Sequence, residues 1–259
     1  MIDLHTHLLP GVDDGSPTAE HSAMVLRRMA AEGVRVVVCT PHLRASQAAA
    51  APIDDHRRRH DDLAELAPSE VTLLSGFEIM LDRPGVDLTA PHLALGASPA
   101  RLVEFPRRGL PPNATEELLR LRMSGVVPVV AHPERYPGCT IDMIGTWREL
   151  GAVIQADAIA LLGAGPMTEF ARQMLEGGLV DVLASDNHGD RRSLSTACAW
   201  LAEIGATEQA RMLTSENPQR VLAAEAPRPV PPIRFRKGVF ERLRELVFGA
   251  RGSTAGEIS

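Results

Sequence analysis

The chain begins Met1-Ile2-Asp3-Leu4-His5-Thr6-His7-Leu8-Leu9-Pro10-Gly11-Val12-Asp13-Asp14-Gly15. Ile2 to His5 reads as a short, mostly apolar strand, stopped by Pro10 and Gly11. If that strand runs on through His7, then His5 and His7 stand two residues apart and their side chains leave the same face. Neutral imidazole is the commonest protein metal ligand, so two of them at a strand end can hold one divalent cation. Asp13 and Asp14 follow on a Gly-flanked turn, close enough to fold back over the same spot. A His-x-His pair alone is a weak motif; it gains weight only if the rest of the chain supplies partners.

The rest of the chain alternates apolar runs with helical patterns. Residues 34–39 are a β-branched run ending in Thr40-Pro41-His42, and residues 71–76 form a third strand ending in Phe77-Glu78. Residues 101–105 carry Glu104 inside an apolar run, and residues 126–131 lead into His132. Residues 152–157 end in Asp157, and residues 179–184 lead into Ser185-Asp186-Asn187-His188. Between these lie segments of helical spacing. Residues 18–32 have Thr18 as N-cap and Gly33 as stop, and residues 114–124 have Asn113 or Thr115 as cap. Residues 141–150, 166–176, 194–204, 207–213 and 218–224 are also helical, with Pro166 at a helix start. The charged second half of 45–68 reads as a solvated helix whose His56 and His60 are surface residues, and the stretch from Glu78 to Ala100 as an irregular loop with a short strand or a turn of helix.

Repeated βα units imply a parallel sheet with right-handed crossovers, either open and doubly wound or closed into a barrel. Periodicity does not separate the two. The ionisable residues do: His5 with His7, His42, Glu78, Glu104, His132, Asp157, and Asp186 with His188 each fall at or just past the end of a different strand. In a barrel all those ends meet at one rim, where active sites are built. An open sheet would spread them along a line. The expected fold is therefore an α/β barrel of seven strands with a metal site at the C-terminal rim. Glu104 adds to this, since a buried carboxylate needs a cation nearby.

The rim offers about twice the three or four protein ligands of a mononuclear zinc site. It is rich in imidazole and carboxylate and free of thiolate, which suits manganese, iron or zinc in a multinuclear cluster. Clustered divalent ions bind phosphate oxygens and lower the pKa of water, so the expected chemistry is hydroxide attack on a phosphate ester. Arg135 follows His132, and Arg191 and Arg192 follow His188; a guanidinium beside such a cluster clamps phosphate. The formal net charge of −6 argues against general nucleic-acid binding. The apolar content of 44% is that of an ordinary soluble globule. No signal peptide is read at the start and no apolar run approaches the roughly 18 residues of a membrane span, so a cytoplasmic location is expected. Three scattered cysteines make no disulfide framework. A cysteine-dependent phosphatase needs Cys followed six residues later by Arg; Cys39, Cys139 and Cys198 have Ala45, Gly145 and Ile204 there.

With Asp3-Leu4-His5-Thr6-His7, Val12-Asp13-Asp14-Gly15, Thr40-Pro41-His42, His132-Pro133-Glu134-Arg135-Tyr136 and Ser185-Asp186-Asn187-His188, the chain resembles the PHP (polymerase and histidinol phosphatase) superfamily. More narrowly it resembles the CpsB/CapC/YwqE-type protein tyrosine phosphatases of bacterial capsule and exopolysaccharide operons, from residue 1 to about residue 223. The resemblance implies a PHP-type distorted (β/α)7 TIM-like barrel, a centre of three manganese-type ions, and dephosphorylation of tyrosine-rich tails on bacterial tyrosine kinases. It implies one ion held by His5, His7, Glu78 and Asp186, and a second by Glu78, Glu104 and His132. The third would take His42, His188 and Asp14 in preference to Asp13, while Arg135 and Arg191 hold the phosphoryl group. Three stretches depart from the family pattern near the expected pocket mouth. Asp157-Ala158-Ile159 stands where relatives carry Asn and small residues, Arg192-Ser193-Leu194-Ser195 replaces a proline-rich sequence, and residues 46–52 are merely Ala-rich.

Two other functions fit parts of this pattern: a PHP-type phosphatase of a small molecule such as histidinol phosphate, and a non-catalytic metal-binding scaffold. The Asp-Asp-Gly and Glu-Arg-Tyr signatures weigh against the first, and the full set of competent ligands against the second. The expected domain division is 1–226 for the barrel and 227–259 for a tail. In the tail, Pro227-Arg228-Pro229-Val230-Pro231-Pro232 reads as a stiff linker, and residues 233–248 include an apolar stripe between basic residues. Such a helix would lie on an anionic membrane, pack on its own barrel, or join a neighbouring subunit in a homo-oligomer.

Overall fold

Pro41, Gly76, Pro106 and Pro133 each stand within two residues of a strand end. The computed structural model describes residues 1–235, and its strands are β1 (Ile2–Thr6), β2 (Val36–Cys39), β3 (His42–Arg44), β4 (Thr72–Ser75) and β5 (Glu78–Met80), followed by β6 (Ala100–Glu104), β7 (Val127–Ala131), β8 (Val153–Asp157) and β9 (Val182–Ala184). Two of the seven expected strands are thus each followed by a further short strand, β3 past Pro41 and β5 past Gly76. Pro41 has no N–H to give a ladder. At Gly76 a Cβ would stand 2.8 Å from Leu95 Cδ2, a close approach that favours glycine between the two pieces. The pieces fall into two sheets, β1-β2-β4 and β3-β5-β6-β7-β8-β9, and every pairing is parallel, as repeated βα units require.

The outer strands of the two sheets meet at one seam. Thr6 and Asn187 form a single parallel bridge. Beside it His7 N donates to Asn187 O at 2.7 Å and Asp186 N donates to His5 O at 3.0 Å. Leu4, Val38, Leu102, Val129, Val153 and Val182, from six strands of both sheets, pack as one apolar cluster. A larger cluster that includes Ile154, Leu183 and Trp147 joins the larger sheet to the helices over it.

The helices begin where the sequence provides caps. Thr18 accepts from His21 N at 3.2 Å to start α1 (Ala19–Ala31). α2 (Ile53–Leu66) buries little beyond Leu63, yet His56 and His60 are half-buried rather than surface residues, the His56 ring lying 5.3 Å from that of Phe77. At α3 (Ala114–Met123) neither Asn113 nor Thr115 caps with its side chain; Thr115 instead accepts from Trp147 Nε1 at 2.9 Å. α4 (Ile141–Glu149), α5 (Pro166–Glu176), α6 (Leu194–Glu203), α7 (Thr207–Arg211) and α8 (Asn217–Leu222) complete the set, the last two joined by a π-helical turn. The irregular stretch before β6 is tied down by the buried Arg101, which donates to the carbonyls of Leu88, Thr89, Ala90 and Ser98.

Residues 227–235 have no regular structure but lie against the globule. Asn217 exchanges hydrogen bonds with the backbone of Arg228, and Ile233 N donates to Leu175 O at 3.1 Å. Val230 and Ile233 are buried, and Phe235 stacks on Trp200. The apolar stripe expected beyond Phe235 lies outside the described residues. No helix among the described residues is long and apolar enough to cross a membrane.

Candidate metal centre

The faces that are apolar low in the strands become polar at their C-terminal ends. In β6, Ala100 and Leu102 pack in the shared cluster, and Glu104 is next on the same side. In β8, Val153 is followed on its side by Gln155 and Asp157. Ala131 closes β7 and hands over to His132, whose φ of 37° lies in the left-handed region. Asp186, just past β9, has a φ of 48°. Both conformations are costly for residues with side chains and are held by the surrounding structure. His132 N donates to Gln155 O at 2.8 Å, and Asp186 N is anchored on β1.

Donor atoms of His5, His7 and Asp186 close on one point, with Glu78 reaching the two histidines from its own side. His5 Nε2 and His7 Nε2 are 3.1 Å apart. Glu78 Oε2 is 3.4 Å from each of them, and Asp186 Oδ1 is 3.2 Å from the first and 3.3 Å from the second. His132 Nε2 lies 2.7 Å from the other oxygen of Glu78 and 3.9 Å from Glu104 Oε2. On the outer side, Asp14 Oδ1 is 3.3 Å from His42 Nε2 and 3.5 Å from His188 Nε2, and His42 Nδ1 is 2.8 Å from Glu78 Oε2. All nine expected ligands are therefore brought together. They form four overlapping donor sets, each with its atoms within 4.8 Å of one another.

The electrostatics fit a cation centre. Burial alone would push the His5 imidazole down, but Glu78 and Asp186 outweigh it and hold it at about 9. His7 is raised as well, by Asp13, Asp186 and Glu78 against its burial. Despite burial, His5, His132 and His42 hold the Glu78 carboxyl well below the usual range. Glu104 Oε2 and His132 Nδ1 are buried without a hydrogen-bond partner among the described residues. These carboxylates demand positive charge from the imidazoles they face. A divalent cation meets that demand by displacing the protons.

The two aspartates of the turn divide the work. Asp13 Oδ2 lies 2.7 Å from His7 Nδ1 and accepts from His42 N at 3.2 Å, so it orients the His7 ring from behind. Asp14 is 70% exposed and faces the two outer histidines. The turn sits so tightly on His7 that a Cβ on Gly15 would fall 2.1 Å from His7 O. Gln155, a residue not expected in the site, has Oε1 3.0 Å from His5 Nδ1 and donates from Nε2 to Asp157 Oδ1 at 3.0 Å. Its position two residues before Asp157 was the available signal, the same alternation that marks Glu104.

Arg135 pairs with both Asp157 and Asp186, its Nη2 lying 2.6 Å from Asp186 Oδ2. Asp157, expected near the mouth, is fully buried behind it. The second guanidinium at Asp186 belongs to Arg192, with Nη1 2.9 Å from Oδ2. Arg191 is exposed and has no ion pair among the described residues. Glu134, also unanticipated as a site residue, is buried with Oε1 accepting from Asp157 N at 2.8 Å. No thiol joins this set. Burial pushes the Cys39 and Cys139 thiols up to about 12 and raises Cys198 as well, the direction that disfavours a thiolate.

Comparison with known proteins agrees with this geometry. The chain is 28% identical over 205 residues to the tyrosine-protein phosphatase YwqE of Bacillus subtilis, covering 73% of this chain and 77% of that protein. It is 26% identical over 238 residues to the tyrosine-protein phosphatase CpsB of Streptococcus pneumoniae, covering 86% and 98%. A solved structure from work on those two proteins, described as unique metal-dependent tyrosine phosphatases, superposes with a TM-score of 0.73 at 24% identity, over 91% of this chain and 100% of the other. The phosphotriesterase of Mycobacterium tuberculosis follows with a TM-score of 0.53 at 13% identity, over 81% and 86%. Both structural likenesses speak for the fold. The profile of the family "Capsular polysaccharide synthesis, CpsB/CapC" matches residues 1–223, and the chain belongs to that family.

Proposed function

We propose that this chain is a metal-dependent phosphomonoester hydrolase, a protein-tyrosine phosphatase acting on phosphotyrosines of a bacterial tyrosine kinase in cytoplasmic control of polysaccharide production. The observation that carries this reading is the convergence of nine imidazole and carboxylate ligands with two arginines on one rim. The names of the relatives support it. The Thr6–Asn187 bridge and the cluster shared by both sheets support reading the sheets as one distorted seven-stranded barrel.

His5, His7, Glu78 and Asp186 would hold one ion, Glu78, Glu104 and His132 a second, and His42, His188 and Asp14 a third. A thiolate-free set of this kind suits manganese. Ions held there supply Lewis acidity toward phosphate oxygens and lower the pKa of water. The chain's own residues then do the rest. Asp13 and Gln155 fix the ring orientations of His7 and His5. Arg135 uses only Nη2 on its two carboxylates and is 21% exposed, which leaves other N–H donors for a phosphoryl oxygen. Arg192 meets the same Asp186 Oδ2 with Nη1, with Nε on Asp190, and stands there as a second donor. A tyrosine phenol has a pKa of about 10, so its departure asks little of a general acid.

The test is turnover by manganese-loaded protein of a phosphotyrosine peptide beside histidinol phosphate. Phosphotyrosine should be the better substrate, with turnover lost to a chelator and kept after iodoacetamide. Preference for histidinol phosphate would move the chain to small-molecule chemistry. Loss to iodoacetamide alone would replace the metal mechanism.

A further inference from the structure

An open groove of about 570 Å³ runs outward from the metal centre. Its inner end is formed by Asp14, His42 and Glu104, and its outer part by Arg44, Arg107 and Arg108. The connection is short in sequence. Arg44 lies two residues past His42 in β3, on the same face of the strand and roughly 6–7 Å farther out. Arg107 and Arg108 lie three and four residues past Glu104, on the turn that Pro106 opens after β6.

What sets these three arginines apart is their place together on one groove, since other exposed arginines, Arg27, Arg57, Arg83 and Arg191 among them, also lack an ion pair among the described residues. Arg58, Arg59, Arg120, Arg211 and Arg220 each pair with a carboxylate of their own neighbourhood. Arg44, Arg107 and Arg108 are all exposed, and none has an ion pair or side-chain hydrogen bond among the described residues. In a chain of net charge −6, three unpaired guanidinium groups on one groove are not a by-product of a basic surface. The carboxylates at the inner end, Asp14 and Glu104, belong to the metal ligands, so their charge is committed there. The wall is within reach of the residues that flank a phosphotyrosine in the centre, since each extended residue spans about 3.3–3.6 Å.

We propose that Arg44, Arg107 and Arg108 form a second anion subsite that selects phosphotyrosine peptides carrying negative charge one to three residues from the target tyrosine. The inference rests on the phosphatase reading of the centre. The charge can be a carboxylate or a second phosphorylated tyrosine; guanidinium recognises both, with the bidentate fit strongest for phosphate.

The experiment uses three peptides that differ only in their flanks: neutral, acidic, or bearing a second phosphotyrosine. The manganese-loaded enzyme should show kcat/KM about five- to thirty-fold higher for the anionic flanks at low salt, the size expected of a few exposed ion pairs, and the ratio should shrink in high salt. Arg44→Ala/Arg107→Ala/Arg108→Ala should bring the ratio to about one, and Arg107→Glu/Arg108→Glu should invert it. Being a ratio within one enzyme, it is insensitive to a general loss of activity. Preference for both anionic flanks establishes a subsite that reads charge, and preference for the phosphorylated flank alone establishes one that reads phosphate. Equal kcat/KM for all three, or a ratio unchanged in both variants, overturns the proposal. Phosphonate analogues of the same peptides give the same ratio as Kd without turnover. Absence of turnover on every peptide would thus count against the phosphatase reading, and a flat Kd series against the subsite.

Discussion

The carboxylate of Asp13 holds Nδ1 of His7 at 2.7 Å, and Nε2 of that ring is thereby the atom turned toward Glu78 and Asp186. Orienting partners of this kind are worth about 10- to 100-fold in metal affinity. Asp13→Ala is expected to weaken metal binding by that factor with the ligand set intact, and Asp13→Asn, which keeps an acceptor, by less. Asp14→Ala removes a donor atom and should lower the metal-to-protein ratio itself. Competition titration with a chelator dye, read beside elemental analysis, separates the two. Unaltered affinity in Asp13→Ala would remove it from the centre.

Arg192, and not its neighbour, shares Asp186 with Arg135. A hydrogen bond to a charged group is worth about 1.5–3 kcal/mol, or roughly 10- to 100-fold. Arg192→Ala should lower kcat/KM on a phosphotyrosine peptide by about that factor, mainly through KM, with metal content unchanged. Arg191→Ala should change it less than about twofold, as other exposed surface substitutions do. The reverse ranking would return the clamp to Arg191.

Glu134 is buried, and burial together with the adjacent Asp157 carboxylate pushes its carboxyl up to about 8. In the unfolded chain it titrates near 4.3. Between those values the folded, metal-free protein binds more protons than the unfolded chain, so stability falls as pH rises across that window. Glu134→Gln removes this slope. Melting curves of metal-free protein should show the variant gaining on the wild type from pH 5 to pH 8.5. Parallel curves would show that Glu134 does not hold its proton.

Ile233 is 3% exposed and joins the main apolar cluster directly after the stretch that reads as a linker. Ile233→Ala should cost about 2–5 kcal/mol, the usual range for a buried isoleucine. Urea unfolding measures it, and a cost below about 0.5 kcal/mol would show that the segment is not part of the core.

The sequence alone determined the parallel βα order and the identity of the residues at the strand ends. Those are local matters. Pro41, Gly76 and Pro106 mark strand ends that can be read locally, and a two-residue alternation places Glu104 on the face of Leu102 whatever surrounds it. His5 and His7 follow the same rule. Tertiary structure decided what depends on direction in loops and on distance between strands. Arg191 and Arg192 are adjacent in a segment without periodicity, so only the path of the chain after Asp186, with its left-handed backbone, selects which guanidinium turns inward. Asp13 and Asp14 are divided in the same way, by a turn pressed onto His7 at Gly15. Gln155 meets His5 across 150 residues, and no local pattern registers that approach. The proline-rich stretch at 227–232 looks extended from its composition, yet Val230 and Ile233 dock beside Leu175. Composition sets the stiffness of such a segment; apolar surface exposed elsewhere on the fold decides where it lies.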